Sequence, residues 1–380
     1  MKKDIRMSKR LCLTLSVILT VTMLLAACTP ATTPPVPAAA AQSTTAPAGA
    51  AAAPTTAAAL PDASSLKVGL VTDTAGVNDQ AFNQMAWEGV QKAAQEMGFQ
   101  AKFLESGQPS DYETNIDALA SEGYTVILTV GASMGEATAL KAKSYPDVKF
   151  AIIDNVYALS GLANVTSLMF AEDQVGFLAG VLAGGMSRSG FVCSVSSIQN
   201  PQSGRYMQSF FGGATWQAGA NLKFMNNYIN IQTTDANVPS STDSTQGKEN
   251  ALKLIGRGCD VVFAIGGDAV SGVLLAAKES NLPAIGADVD RYNTDPEAQS
   301  ALITSTMKNV DVAVYNYLKT VADGSVQAGI STGTLQNGGV GLAPFHNWDS
   351  QVPADLKAQI QKASDGIKDG SVKIDVPSGG

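Results

Sequence analysis

The chain has 380 residues, 45% of them hydrophobic and 15% charged, with a formal net charge of −8. That length and apolar content can bury one large core or two moderate ones. There is no basic surplus to mark a nucleic-acid partner, and acidity of this size bears on solubility, not on fold.

The first residues read as an export signal. Lys2, Lys3, Lys9 and Arg10 precede an apolar run over residues 11–25 that is too short to span a bilayer comfortably. The run ends Leu25-Ala26-Ala27-Cys28, which resembles a bacterial lipobox. Cys28 is then the expected site of lipidation, and two or more acyl chains give stable anchoring where one does not. Residues 29–61 carry no charge and consist mainly of Ala, Thr and Pro. Such a stretch buries too little to order itself and is expected to act as a tether, with a reach on the order of 100 Å.

From residue 66 onward, short apolar runs alternate with helical patterns. A strand at 66–72 is followed by a helix at 81–97, with Phe82, Met85, Ala86, Val90, Ala93 and Met97 at helical spacing and Gly98 as its stop. Next come a strand at 100–104 and a helix opening on Ser110-Asp111-Tyr112-Glu113, which has capping-box form. Strands at 126–130 and 150–154 flank another helix. The cycle restarts after Phe170, with helices at 174–186, 206–218, 248–257 and 270–279. Strands at 191–195, 222–228, 260–265 and 284–287 alternate with them.

Such β-α repeats predict an α/β protein with two doubly wound, Rossmann-like lobes joined by a hinge. The expected division is a signal at 1–27 and an anchor and linker at 28–65. Lobe 1 would comprise 66–171 and 289–330, and lobe 2 would comprise 172–288 and 331–380. The strand at 301–306 and the helix at 310–321 are thereby placed in lobe 1. Cys193 and Cys259 lie in apolar runs and are read as buried small side chains more readily than as a disulfide.

Ligands of doubly wound sheets bind beyond the carboxyl ends of strands. After the first strand stand Asp73, Asp79, Phe82 and Asn83. Their carboxylates and amide suit hydroxyl or N–H partners, and the ring offers a flat face. Asp79 as a helix cap and Phe82 as a core residue explain the same pattern equally well. Gly131-Ala-Ser133-Met-Gly135 has the form of a nucleophile elbow, and His346 is the only histidine. Ser133 and Glu136 also form a capping-box pattern, which accounts for the serine without catalysis, though its place at a strand end keeps it a candidate ligand contact. Asp154, Gly266, Asp268 and Asp288 follow later strands, and Lys308 follows the strand at 301–306. A cleft lined by these carboxylates and one lysine suits a neutral, hydroxyl-rich ligand better than an anion. No tight acidic loop or His/Cys cluster points to a metal, and no cofactor is expected.

The chain resembles the basic membrane protein family of bacterial lipoproteins. The match rests on Asn78-Asp79-Gln-Ala-Phe82-Asn83, Asn164-Val-Thr-Ser, Gly176-Phe-Leu-Ala-Gly180, Gly266-Gly267, Gly286-Ala-Asp288-Val-Asp290, Ser305-Thr-Met-Lys308 and Asn337-Gly-Gly-Val-Gly-Leu-Ala-Pro-Phe345. The resemblance implies a type I periplasmic-binding-protein fold without catalysis, and a nucleoside, purine above all, as ligand. An ABC permease is the implied partner and a monomer the implied state. It also implies that Phe82 and Phe210 stack on the base from opposite lobes. Asp79, Asn83 and Asp154 would bond polar groups, Asp288 would hold ribose hydroxyls, and Lys308 would bond ligand or brace a carboxylate. Ser194-Val-Ser196 replaces the family's Gly-Gly after the first strand of lobe 2.

Overall fold

The structure, a computed structural model, describes residues 63–156, 161–230, 244–267 and 269–375. The signal, Cys28, nearly all of the linker and Asp268 lie outside these residues. Among the described residues no helix is long and apolar enough to cross a membrane.

The chain begins with β1 (Lys67–Val71), α1 (Phe82–Met97), β2 (Gln100–Leu104), α2 (Asp111–Ser121), β3 (Val126–Val130), α3 (Gly135–Ser144), β4 (Lys149–Ile153) and β5 (Val165–Phe170). Then come α4 (Glu172–Met186), β6 (Phe191–Ile198), α5 (Pro201–Ala218), β7 (Lys223–Asn230), α6 (Ser244–Ile255), β8 (Val261–Ile265), α7 (Ala269–Glu279) and β9 (Ala284–Asp288). It closes with α8 (Arg291–Thr294), β10 (Leu302–Lys308), α9 (Val310–Ala322), β11 (Gly329–Gly333), β12 (Val340–Leu342) and α10 (Ala354–Asp369).

These strands form two six-stranded sheets, β11-β5-β4-β3-β1-β2 and β12-β10-β9-β8-β6-β7. Every pairing is parallel except β12 against β10. Parallel strands need helices on both faces, and β3, β5 and β8 are accordingly buried at every residue. The order reverses between β1 and β3 in one sheet and between β6 and β8 in the other, which places a topological switch point in each lobe. Helix α1 shows how the pattern is used. Ala86, Val90, Ala93 and Met97 form its buried stripe, and Gly98 closes it in the left-handed conformation, its N–H bonded to the Ala94 carbonyl.

The placement of β10 corrects the expected lobe division. It pairs with β9 and β12 in the second sheet, so residues 302–308 do not return to lobe 1. Helix α9 does return, packing on α1, and β11 then adds beside β5. The chain therefore crosses between lobes three times, at 170–172, at 308–310 and between β11 and β12. The third crossing folds tightly on itself: a Cβ on Gly339 would lie 2.2 Å from the Gly333 Cα, so a side chain there would force its two ends apart.

Neither predicted capping box forms, because Ser110 makes no side-chain cap bond and Ser133 sits in a short 3-10 turn ahead of α3. A true capping box opens α5. Asn200 Oδ1 accepts from the Ser203 N–H at 2.8 Å, and Ser203 Oγ accepts from the Asn200 N–H at 3.0 Å. Cys193 and Cys259, expected as separate side chains, are joined by a disulfide with Cα atoms 5.9 Å apart. Adjacency of β6 and β8 brings them together, a tertiary fact that spacing alone does not carry.

Candidate functional site

The carboxyl ends of strands from both sheets enclose one cavity of about 230 Å³. From the first lobe come Phe82, Gly131, Ala132 and Asp154. From the second come Ser196, Ser197 and Ile198 at the end of β6, the first two turns of α5, Gly266 and Gly267 after β8, Asp288, and Lys308.

Lys308 is its centre. The residue is 3% exposed, and its Nζ lies 2.9 Å from Asp154 Oδ2, 3.0 Å from Glu172 Oε1 and 3.9 Å from Asp288 Oδ1. The rings of Phe170, Phe82 and Tyr206 surround it at 5.6, 5.8 and 5.9 Å. Burial works against the ammonium, but Asp154, Glu172 and Asp288 together hold it charged well above its ordinary range. One cation cannot compensate three carboxylates equally. Burial pushes the Asp154 carboxyl above the usual range, Lys308 pulls it down, and Glu172 and Asp288 push it up again. Asp154 Oδ1 and Ser197 Oγ are buried without a hydrogen-bond partner. Such orphaned groups are costly in a finished core and apt in a site that meets a polar ligand. Asp154 and Asp288 also hold positive φ values of 60° and 73°, a strained conformation for non-glycine residues that is concentrated at functional sites.

Of the residues singled out in the sequence, Phe82, Asp154, Gly266, Asp288 and Lys308 line this cavity. Asp79 and Asn83 do not. Asp79 Oδ1 accepts from the Ala81 and Gln84 N–H groups, and Oδ2 accepts from the Asn83 backbone and side chain, so the carboxylate anchors the start of α1. Asn83 is 1% exposed and donates its amide to Asp73 Oδ1 at 2.8 Å as well, tying the loop after β1 to the helix. Asp73 and Ser133 are also off the cavity wall, and Ser133 is exposed. His346 is committed elsewhere: Nε2 lies 2.8 Å from Asp290 Oδ2, and the ring stacks on Tyr292.

Phe210 requires a correction. It is fully buried, 4.9 Å from the Phe263 ring, and forms core beneath the second sheet. Only the first two turns of α5 reach the cleft, and Tyr206, one turn before Phe210, lines it with its hydroxyl donating to Asp288 Oδ1 at 3.2 Å. The sequence reading began this helix at 206 and so missed Asn200, Gln202, Ser203 and Tyr206 as site residues. The signal was Asn200-Pro201, a cap residue followed by proline at the first helical position. Glu172 was missed as well, since nothing in its spacing reports that Lys308 approaches it.

Two α/β lobes, three crossovers and a polar cleft between the sheets define a fold of the periplasmic-binding-protein type. A structure of an ABC transporter solute-binding protein from Aeropyrum pernix K1 has the same fold, with a TM-score of 0.66 at 24% identity over 83% of this chain and 94% of that one. Residues 66–376 match the model of the Bmp family, described as ABC transporter substrate-binding protein PnrA-like, and the chain belongs to that family. It is 31% identical over 334 residues to the ABC transporter nucleoside-binding protein BmpA of Lactococcus lactis, covering 83% of this chain and 90% of the relative. It is 28% identical over 327 residues to the CD4+ T-cell-stimulating antigen of Listeria monocytogenes, covering 81% and 87%. The protein is thus a substrate-binding component of an ABC transporter and not an enzyme, working with a small-molecule ligand and a membrane permease.

Proposed function

We propose that the protein captures a nucleoside, a purine nucleoside above all, and delivers it to its permease. One observation carries this reading. An aromatic residue from each lobe, Phe82 from the first and Tyr206 from the second, lines a cavity that also holds the Asp154 and Asp288 carboxylates. Two rings can grip a base, while carboxylates accept from ribose hydroxyls or base N–H groups. The printed name of the Lactococcus relative supports the same ligand class. Capture closes the lobes about the three crossovers, and the receptor acts as a monomer.

The test is a thermal-shift panel of adenosine, guanosine, inosine, cytidine, ribose and glucose. A nucleoside at about 100 times its dissociation constant stabilises the fold by about 2.7 kcal/mol, and ribose does far less because it lacks the stacking face. Phe82→Ala weakens nucleoside binding roughly tenfold to hundredfold, given about 1–3 kcal/mol per stacked base. Strong stabilisation by ribose or glucose with every nucleoside silent defeats the nucleoside reading and leaves the receptor class intact.

A lipid on Cys28 holds the body at the extracytoplasmic face of the cell membrane. Cys28→Ser then releases it from membranes, and a variant that stays tightly membrane-bound contradicts the anchor.

A further inference from the structure

Glu172 is fully buried, yet it is not part of the cavity wall. It is the first residue of α4, directly after the first crossover, while Lys308 is the last residue of β10, directly before the second. Its Oε2 accepts from Nε and Nη2 of Arg205 at 3.0 and 2.8 Å, and its Oε1 stands 3.0 Å from Lys308 Nζ. A wholly buried carboxylate is costly unless it is paired, and both of its oxygens face cations.

The three partners of Lys308 are not equivalent. Asp154 and Asp288 line the cavity, so a ligand bearing hydroxyl or N–H donors competes for them. Glu172 is buried and does not line the cavity. Its own position is set by the packing of α4 on α5, which meet backbone to backbone. A Cβ on Gly180 would lie 2.0 Å from the Phe210 carbonyl oxygen, and one on Gly176 would lie 2.3 Å from Ser209 Oγ. That close approach delivers Arg205 to Glu172 and leaves Glu172 little freedom.

We propose that Glu172 is a positioning residue for ligand capture, acting through Lys308. It retains the ammonium at the boundary between the lobes and so leaves Asp154 Oδ1 and Asp288 available to bond the ligand. Arg205, touching neither cavity nor Lys308, braces Glu172 from the opposite side. This deepens the receptor reading and rests on the nucleoside reading only for the first choice of probe.

The test is a double-mutant cycle on affinity, read by calorimetry on the full-length protein. The probe is whichever of adenosine, guanosine, ribose and glucose binds wild type most tightly, so a failed nucleoside reading leaves the cycle usable. Glu172→Gln weakens binding roughly tenfold to hundredfold, within the range of coupling between two sites, because it removes a charge 3.0 Å from the Lys308 ammonium. In a Lys308→Met background the same change weakens it by less than about threefold, because the residue through which it acts is gone. Arg205→Gln, at a side chain 31% exposed and tolerant of change, gives a smaller loss with the same dependence on Lys308, and it carries the test if Glu172→Gln fails to fold. Unchanged affinity in the single variants overturns the proposal. So does an equal loss in both backgrounds, which marks Glu172 as a support of the fold alone.

Discussion

Replacing Lys308 with methionine keeps the volume and removes the charge. At an effective dielectric of about 20, an ion contact near 3 Å is worth about 5–6 kcal/mol before desolvation, and Lys308 makes two of them. Most of that attraction is offset by taking the ammonium out of water. Removing one partner of a buried network nonetheless costs about 3–5 kcal/mol, because Asp154 is left buried without its cation. Lys308→Met is therefore expected to lose that much in urea unfolding at pH 8. The deficit also depends on pH, and its sign follows from Asp154, whose folded pKa is already raised by burial. A raised folded pKa gives a contribution that is present in acid and lost as pH rises through the folded value. Without the ammonium the carboxyl rises further, and each added unit is worth about 1.4 kcal/mol. The deficit relative to wild type is thus larger at pH 8 than at pH 5, because a carboxyl with a raised pKa takes up its proton more readily as pH falls. The Lys308 ammonium of wild type is itself fully charged at both values, so it adds no slope of its own. A deficit under about 1 kcal/mol at pH 8, or one that does not change down to pH 5, refutes this account of the cluster.

Phe210→Ala is expected to cost about 3–5 kcal/mol of stability while leaving the dissociation constant of folded protein within about threefold, since the ring is core; a selective loss of binding would return Phe210 to the cleft. Breaking the Cys193–Cys259 bond frees a loop with a sequence separation of 66, and chain entropy puts the loss at about 4 kcal/mol; urea unfolding with and without reductant measures it, and an unchanged midpoint contradicts the pairing. Ser133→Ala is expected to stay within about 0.5 kcal/mol of wild type in stability, as surface changes do, because the hydroxyl is exposed and caps nothing; a loss near the 1 kcal/mol typical of a helix cap would show that it caps after all.

The two-sheet architecture was legible because buried parallel strands and amphipathic helices have different periods. The runs at 126–130 and 260–265 have no polar face to mislead, and Gly98 marks a helix end wherever it stands. The rule that ligands meet the carboxyl ends of strands led from sequence to Asp154, Gly266, Asp288 and Lys308, because strand ends are local features. The same rule could not separate Asp79 from Asp154. Both follow a strand, yet one spends all its oxygens on the start of α1 and the other leaves Oδ1 without a partner.

What the tertiary structure alone decided concerns contacts between segments distant in the chain. Strand β10 resembles any other buried strand, and only its pairing with β9 and β12 assigns it to the second sheet. Phe210 and Tyr206 share one face of one helix, and the depth of α5 against Phe263 determines which ring reaches the cleft. Cys193 meets Cys259, and Glu172 meets both Arg205 and Lys308, because neighbouring strands and close-packed helices bring them within reach. Periodicity and capping are written in residues a few positions apart, so one sequence suffices to read them. Pairing across 33 to 154 positions follows from how the layers stack, which no local pattern encodes.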